Sequence, residues 1–285
     1  MAELEKIALV TDSACDIDDA TLERYHVHVL PFKIRYKNRE YTDKVDITPQ
    51  QVYENMNVEI PTSSLPSPGD MEALYERLTM EHYTHVISVN ISSGISGTVN
   101  AIKSVSDRFP SLKTFIFDTK STSVIEGILI KKCGEMLAAG KKFSDIAAAL
   151  PEMKKKLHFF FVFGTLEYAI KGGRIGRIPG TIGNILDIKP IVDFDPEYGQ
   201  CFTVDKVRGR KRALKKLIQM RDTFAQDRKC DAYVIHGNVE EDAKEFCDEL
   251  RKDPRNGAVH LVGQISSIVG VYCGPGTVGV CYSEI

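Results

Sequence analysis

The chain lacks an apolar stretch long enough to cross a bilayer, and its start, MAELEKIALV, is a charged lead-in to a strand rather than a signal peptide. It also lacks an excess of either charge, because 37 lysines and arginines face 39 aspartates and glutamates. We therefore expect no transmembrane segment, and the charge balance gives no overall drive toward nucleic acid or anionic membranes.

The sequence also lacks a pattern among its cysteines. Seven are scattered along 285 residues, with no C-x-x-C pair and no Cys/His cluster. An odd, unpatterned count is typical of reduced thiols in a cytosol, not of a disulfide framework. We expect a cytoplasmic protein with no zinc site and no other metal or cofactor.

Strand and helix signals alternate through the first half of the chain. Short apolar runs at 6–10 (KIALV), 85–90 (HVISVN) and 114–118 (TFIFD) are each followed by a polar loop. Thr48 and Pro49 are typical of a helix start, as N-cap and first helical residue. The alternation predicts an N-terminal α/β domain with a mostly parallel sheet and helices on both faces.

The second half predicts a mixed sheet. HFFFVFGT (158–165) is a strongly apolar strand candidate, and IKPIVDF (188–194) and CFTVDKV (201–207) form a predicted antiparallel pair around a turn. We therefore expect a two-domain α/β fold, with domains at 1–160 and 161–285.

Hydroxyl-rich segments follow three of the early strands, and a fourth such segment, 61–70, precedes a helix. Because parallel strands end at one edge of a sheet, where ligands bind, these segments are expected to meet there. Ser and Thr at helix starts can bind a carboxylate or phosphate, although each segment alone is also an ordinary helix cap. Their common placement favours a shared site for an anionic headgroup; the segments are TDSACD (11–16), PTSSLPSPGD (61–70), NISSGISGT (90–98) and TKSTS (119–123).

Three sharper interpretations of these segments fail. NISSGISGT has no lysine after its second glycine, so it is not a Walker phosphate loop. GISGT lacks the final glycine of a hydrolase nucleophile turn. No G-x-G-x-x-G follows the first strand, which argues against a dinucleotide site.

Two basic segments stand out. KGGRIGR (171–177) places Arg174 beside a glycine pair, where it can reach an anion, whereas Arg177 is expected in solvent. KVRGRKRALKKL (206–217) is either a solvated helix face or a docking surface for an acidic partner or membrane headgroups.

An ordered set of short motifs makes nearly the whole chain resemble the DegV family. Each motif alone is weak, but the set in this order is specific. The motifs are TDSACD (11–16), PTSS-x-PS (61–67), SS-x-I-SGT (92–98), DT-x-S…G (118–127), KGGRI (171–175), IKPI (188–191) and GPG (274–276).

The resemblance implies a two-domain α/β protein that binds one long-chain fatty acid in a tunnel between the domains. Characterised members are similar to the binding subunit of bacterial fatty acid kinase. Their partner, the catalytic subunit, phosphorylates the bound carboxyl group to an acyl-phosphate for phospholipid synthesis. The resemblance implies no catalytic nucleophile, hence a lipid-binding protein rather than an enzyme, with transient membrane contact as a further expectation.

The resemblance also implies the site residues. Thr62, expected among the fatty-acid-binding residues, matches the Thr of the family's PTS segment. Ser93 matches the serine that meets the carboxylate, and Ser96 offers a second hydroxyl. Arg174 matches the Arg of KGGR near the headgroup. Tyr272 stands where the family commonly has His, two residues before GPG; tyrosine keeps a hydrogen-bond donor but loses the imidazole charge near neutral pH.

Two apolar segments, 158–170 and 178–192, are expected either to line the tunnel or to form ordinary core. An alternative function is that of a small-substrate subunit of a phosphotransferase, because the implied fold is similar to the substrate domain of dihydroxyacetone kinases. That domain holds its ligand through a histidine, and Tyr272 occupies the corresponding place here.

Overall fold

Two main β-sheets organise the chain in the computed structural model, which describes residues 5–178 and 187–285. The first sheet is parallel, with the strand order β2-β1-β6-β7. The elements of this half are β1 (Ile7–Asp12), α1 (Asp19–Arg24), β2 (His28–Leu30), β3 (Lys33–Tyr36), β4 (Arg39–Thr42), α2 (Pro49–Asn55), β5 (Thr62–Ser64), α3 (Pro68–Met80), β6 (His85–Asn90), α4 (Thr98–Ser106), β7 (Lys113–Asp118), α5 (Val124–Ala138) and α6 (Phe143–Lys155).

The second sheet has six strands in the order β10-β9-β8-β13-β11-β12 and is mixed, because only β11 and β12 run parallel. Its elements are β8 (Leu157–Val162), α7 (Glu167–Lys171), β9 (Ile188–Phe194), β10 (Cys201–Arg208), α8 (Arg210–Gln219), a 3₁₀ turn (Met220–Thr223), β11 (Cys230–His236), α9 (Glu240–Arg251), β12 (Asn256–Gln264), α10 (Ser267–Cys273) and β13 (Val278–Glu284).

Apolar cores lie on both faces of the parallel sheet. Ala8 and Val10 of β1 pack on one side with α3 and α4. Their neighbours Ile7 and Leu9 face the other side, because successive strand residues point to opposite faces, and pack in one core with α5 and α6. The predicted fold class, a parallel α/β sheet with helices on both faces followed by a mixed sheet, is confirmed.

Helix α5 lies in the core that the two main sheets share. This core joins Ile87 of β6, Leu129 of α5 and Phe159 of β8. Fully burying a side chain of this size stabilises the fold by about 1.5–3 kcal/mol, so the shared core fixes the position of loops at both ends of α5.

The segment 27–36 forms two separate strands, β2 and β3. β2 is an edge strand of the parallel sheet, whereas β3 lies between β4 and β5 in a separate antiparallel sheet. Pro31 lies between them and cannot donate a ladder hydrogen bond, which favours the break. The segment 62–64, expected as a loop, is β5 because it pairs with β3.

Local helix signals are reproduced. Thr48 caps α2, with its hydroxyl accepting from the Gln51 amide and Pro49 as the first helical residue. Ser67 caps α3 in the same way. Helices α6, α7 and α10 were not anticipated.

The expected domain boundary at residue 160 falls within β8, all of which belongs to the six-stranded sheet. The division into two domains stays a prediction. All seven cysteines are buried free thiols. In the part of the chain that the structure describes, no helix combines the length and apolar character needed to cross a membrane.

Gly134→Ala tests the packing of α1 against α5, because an added Cβ would overlap the Tyr25 ring. We expect a loss of about 1–3 kcal/mol in the free energy of unfolding. Gly69→Ala, on α3, is the control: its Cβ would have open space, with Ser67 Oγ 3.8 Å away, so stability should hold or rise by up to about 1 kcal/mol. Urea unfolding followed by circular dichroism measures both; equal stabilities would contradict the close packing at Gly134.

Candidate functional site

A cavity of about 240 Å³ lies where β5, the loops after β6 and β7, the six-stranded sheet and α10 meet. Its apolar wall is aromatic, with Phe32, Phe159, Phe161, Phe163 and Phe194 among the lining residues. Five isoleucines, Leu65 and Val269 extend it. The shape and lining suit an apolar ligand held by a few polar groups.

Strand β8 supplies this aromatic wall. Phe159 and Phe161 point toward the core shared with α5, whereas Phe160 and Val162 point to the opposite core under α8 and α9. Within segment 158–170 the residues that line the cavity are Phe159, Phe161, Phe163 and Ala169, and a tunnel there stays a prediction. Most of the other expected lining segment, residues 179–186, lies outside the described residues.

Polar side chains gather at one part of the cavity. Tyr272, on α10, shares a hydrogen bond of 2.5 Å with the Ser63 hydroxyl. The Arg174 guanidinium lies over the Tyr272 ring, 4.9 Å from its centroid, in cation–π geometry. Ser64 and Ser96 line the same cavity.

Arg174 reaches this position from the loop after α7. Its Nη1 donates to the Gly172 carbonyl at 2.8 Å and its Nε to the Ile95 carbonyl at 3.4 Å. A Cβ at position 172 would overlap the Tyr272 ring, so this close approach requires glycine. Among the described lining residues Arg174 carries the only formal charge, so the cavity favours an anion.

The sequence-predicted residues divide into two groups. Ser96, Arg174 and Tyr272 line the cavity together. Thr62 is exposed and does not, while the next residue, Ser63, does. Segment 61–70 was recognised as hydroxyl-rich, but choosing the inward residue required knowing that residues 62–64 form a strand.

Ser93 is not among the described residues that line the cavity, and it is hydrogen-bonded to Asp118 instead. Its amide and hydroxyl donate to the two carboxylate oxygens of Asp118, at 3.1 and 2.5 Å. Lys120 Nζ lies 3.1 Å from the Ser93 hydroxyl and 2.9 Å from Asp118. The cluster links the loops after β6 and β7, and the Ser93 contact with Asp118 helps keep the pKa of that carboxyl below its usual value despite partial burial.

The loop after β1 supports the cavity from behind. The Ser13 hydroxyl donates to Asp43 at 2.7 Å, and the Ser123 hydroxyl donates to Asp16. Ser123 lines the cavity, whereas no residue of segment 11–16 is among the described lining residues. Three of the four hydroxyl-rich segments therefore line the cavity.

A family model described as "Uncharacterised protein, DegV family" matches residues 6–284. The chain belongs to the DegV family. The resemblance inferred from the ordered motifs is thus confirmed, and it spans nearly the whole chain.

Similar sequences and similar solved structures include further DegV proteins. A DegV domain-containing protein of Clostridium acetobutylicum is 45% identical over 281 residues, covering 99% of this chain and all of that protein. The crystal structure of DegV, a fatty-acid-binding protein from Bacillus subtilis, matches with a TM-score of 0.88 at 30% identity, covering 99% of this chain and 100% of that one. The B3 protein of Streptococcus pneumoniae fatty acid kinase, loaded with linoleic acid, shares the fold at a TM-score of 0.84 and 19% identity, covering 98% and 100%.

The basic run 206–217 of this DegV-family chain lies on β10 and α8. Arg210 pairs with Asp242 at 2.7 Å and Lys216 with Asp205 at 2.7 Å. Lys211, Arg212 and Lys215 are exposed on α8. Two of the seven basic residues of the run thus form ion pairs, and the other five, which include Lys206 and Arg208, are exposed.

Two carboxyl groups are buried beneath the cavity loops. Asp12 accepts hydrogen bonds from the amides of Ile91 and Ala14, at 3.0 and 3.1 Å, and burial raises its pKa to about 6. Glu126, on α5, accepts from the Thr11 hydroxyl at 2.8 Å. Burial, and next the charge of Asp12, raise the Glu126 pKa well above its usual value.

Glu126→Gln tests this pair. A carboxyl whose pKa is raised in the folded protein holds its proton more tightly there than in the unfolded chain. The free energy of unfolding therefore falls as the pH rises from the pKa of the unfolded chain to that of the folded protein. Stability should fall from about pH 4 to about pH 6 in both proteins as Asp12 ionises. Glutamine cannot ionise, so the variant should match the wild type below about pH 4 and become increasingly more stable than it from there toward pH 9.

Chemical denaturation across this pH range measures the difference. Glu135→Gln, on the exposed face of the same helix, is the matched control and should show no such trend. A constant deficit of Glu126→Gln at every pH would contradict a protonated Glu126.

Proposed function

We propose that this DegV-family chain binds a long-chain fatty acid without covalent chemistry and presents it to the catalytic subunit of a fatty acid kinase. The observation that carries the proposal is the cavity itself, with a phenylalanine wall and a cluster of hydroxyls around one arginine. The fatty-acid-binding DegV of Bacillus subtilis, 30% identical with nearly full coverage, supports the same ligand class.

The apolar wall would hold the acyl chain. Transferring each methylene from water is worth about 0.8 kcal/mol, so the chain supplies most of the affinity. A small polar ketone would leave the phenylalanine wall unfilled, which makes the dihydroxyacetone-like alternative the weaker one.

The polar part of the cavity would hold the carboxylate. A charge removed from water needs hydrogen-bond donors and a counter-charge. Ser63, Ser96 and Tyr272 offer hydroxyl donors, and Arg174 offers the charge at the exposed edge. We place Thr62 and Ser93 as supports of this arrangement, since their side chains bond Arg35 and Asp118.

In this role the chain is a substrate-presenting subunit rather than an enzyme, acting in the cytoplasm. Phosphoryl transfer to the bound carboxylate would be performed by the partner kinase, as the family resemblance implies. Exposed Lys211, Arg212 and Lys215 of α8 are suited to transient contact with anionic headgroups during lipid exchange.

Native mass spectrometry of the protein purified from cells should show an added mass of fatty-acid size. In exchange experiments, affinity should rise about fourfold per methylene until the cavity is full, since 0.8 kcal/mol per methylene corresponds to that factor. A chain that stays empty after incubation with palmitate and oleate would refute the proposal.

The kinase role is tested with the same loaded protein. Added ATP alone should leave the ligand unchanged, whereas ATP with a cognate kinase subunit should give an acyl-phosphate, detected as a hydroxamate. Turnover of ATP with a small ketone by this chain alone would instead support the alternative function.

Arg174→Gln tests the counter-charge. Because the side chain is exposed, palmitate binding should weaken roughly fivefold, the effect of about 1 kcal/mol. Binding of 1-hexadecanol, which is neutral, should change little. Arg177→Gln is the matched control, because Arg177 pairs with Asp195 at 3.0 Å and is not among the described lining residues. Equal effects of both variants on palmitate would contradict the role of Arg174.

A further inference from the structure

Thr122 is a cavity-lining residue whose hydroxyl has no hydrogen-bond partner among the residues that the structure describes. Its side chain is only 4% exposed and its Oγ1 is buried. A buried hydroxyl without a partner is costly, and few such groups persist in folded proteins without a reason. Because Thr122 lines the cavity, a bound ligand can supply the missing hydrogen-bond partner.

The backbone on both sides of Thr122 is held in place by hydrogen bonds. Before it, the Ser121 carbonyl accepts from the Ser92 amide at 2.7 Å. After it, the Ser123 amide donates to the Ala14 carbonyl at 3.1 Å, and Ser123 forms a β-bridge with Cys15.

Ser123 adopts a φ of +63° with ψ of −127°, a conformation that non-glycine residues rarely tolerate. Such strain persists only where neighbouring contacts enforce it, and here the Asp16 carboxylate also accepts from the Ser123 hydroxyl. Threonine is β-branched, which restricts its own rotation further. These contacts stabilise the strained backbone of the loop beside the cavity.

Two neighbouring hydroxyls of the cavity already have protein partners. Thr277 donates to the Cys273 carbonyl at 2.8 Å, and Ser96 pairs with the Thr98 hydroxyl at 2.8 Å. Thr122 differs because its one donor is uncommitted. The Ser92–Ser121 hydrogen bond joins the loop of Thr122 to the loop that carries Ser96. The hydroxyls of Thr122 and Ser96 therefore lie on linked loops of the same cavity.

We propose that Thr122 is a further ligand-contacting residue, whose hydroxyl donates a hydrogen bond to the carboxylate of the bound fatty acid. The inference rests on the proposed function, since it requires that ligand. It accounts for a donor that the protein leaves unpaired, because the acyl chain has no acceptor and the carboxylate does.

Thr122→Val keeps the shape of the side chain and removes the hydroxyl. Binding of palmitate should weaken about tenfold or more, as expected for a lost hydrogen bond to a charged group. The melting temperature of the delipidated protein should stay the same or rise, because an unpaired polar group is replaced by an apolar one. A purely structural hydroxyl would lower it.

Thr119→Val is the matched control in the same loop. Thr119 is equally buried, but its hydroxyl donates to the Asn90 carbonyl at 2.8 Å. This variant should melt at a lower temperature and bind palmitate within about twofold of wild type. Thr122→Ser, which restores a hydroxyl, should recover most of the affinity lost in Thr122→Val.

The outcomes separate the two proposals. Wild-type protein that fails to bind palmitate overturns the proposed function, and this inference with it. Wild-type binding with unchanged affinity in Thr122→Val overturns this inference alone, as does a lower melting temperature with no rescue by Thr122→Ser. Equal penalties for palmitate and 1-hexadecanol overturn the carboxylate contact, because a hydrogen bond to a charged acceptor is about twice as strong.

Discussion

The alternation of side chains along β8 determines which residues of this strand enter each of the two cores beside the six-stranded sheet. One strand contributes to two cores, with Phe159 and Phe161 facing α5 and Phe160 and Val162 facing α8 and α9. A shift of one residue in its pairing with β13 would exchange the two sets. The cavity wall is therefore inseparable from the register of the six-stranded sheet.

The polar side of the cavity depends on the parallel sheet instead. Loops after β6 and β7 are tied to each other through Asp118, Ser93 and the Ser92–Ser121 hydrogen bond. Behind them, Asp12 and Asp16 accept amide and hydroxyl hydrogen bonds at the carboxyl end of β1. Buried carboxyl groups here act as a scaffold for loops, which is a structural use of residues that in other sites serve acid–base chemistry.

Much of this was predictable from local patterns, and the exceptions have physical reasons. The cap at Thr48 and the strands β1, β6 and β7 of the parallel sheet depend on residues close in sequence and were predicted. β5 was not, because it exists only through pairing with β3, so Thr62 rather than Ser63 was chosen from the same segment. Ser93 carried a strong sequence pattern, yet its contacts with Asp118 depend on how two loops pack, which spacing does not reveal.

Gly172 and Tyr272 illustrate a constraint that acts between distant positions. The aromatic ring fills the volume where a side chain at 172 would lie, while its hydroxyl bonds Ser63 and its face receives Arg174. Any substitution at 172 would displace the ring from both partners. Homologues with a side chain larger than glycine at the first position must therefore carry a smaller or differently oriented group at the second, so the two positions are expected to covary.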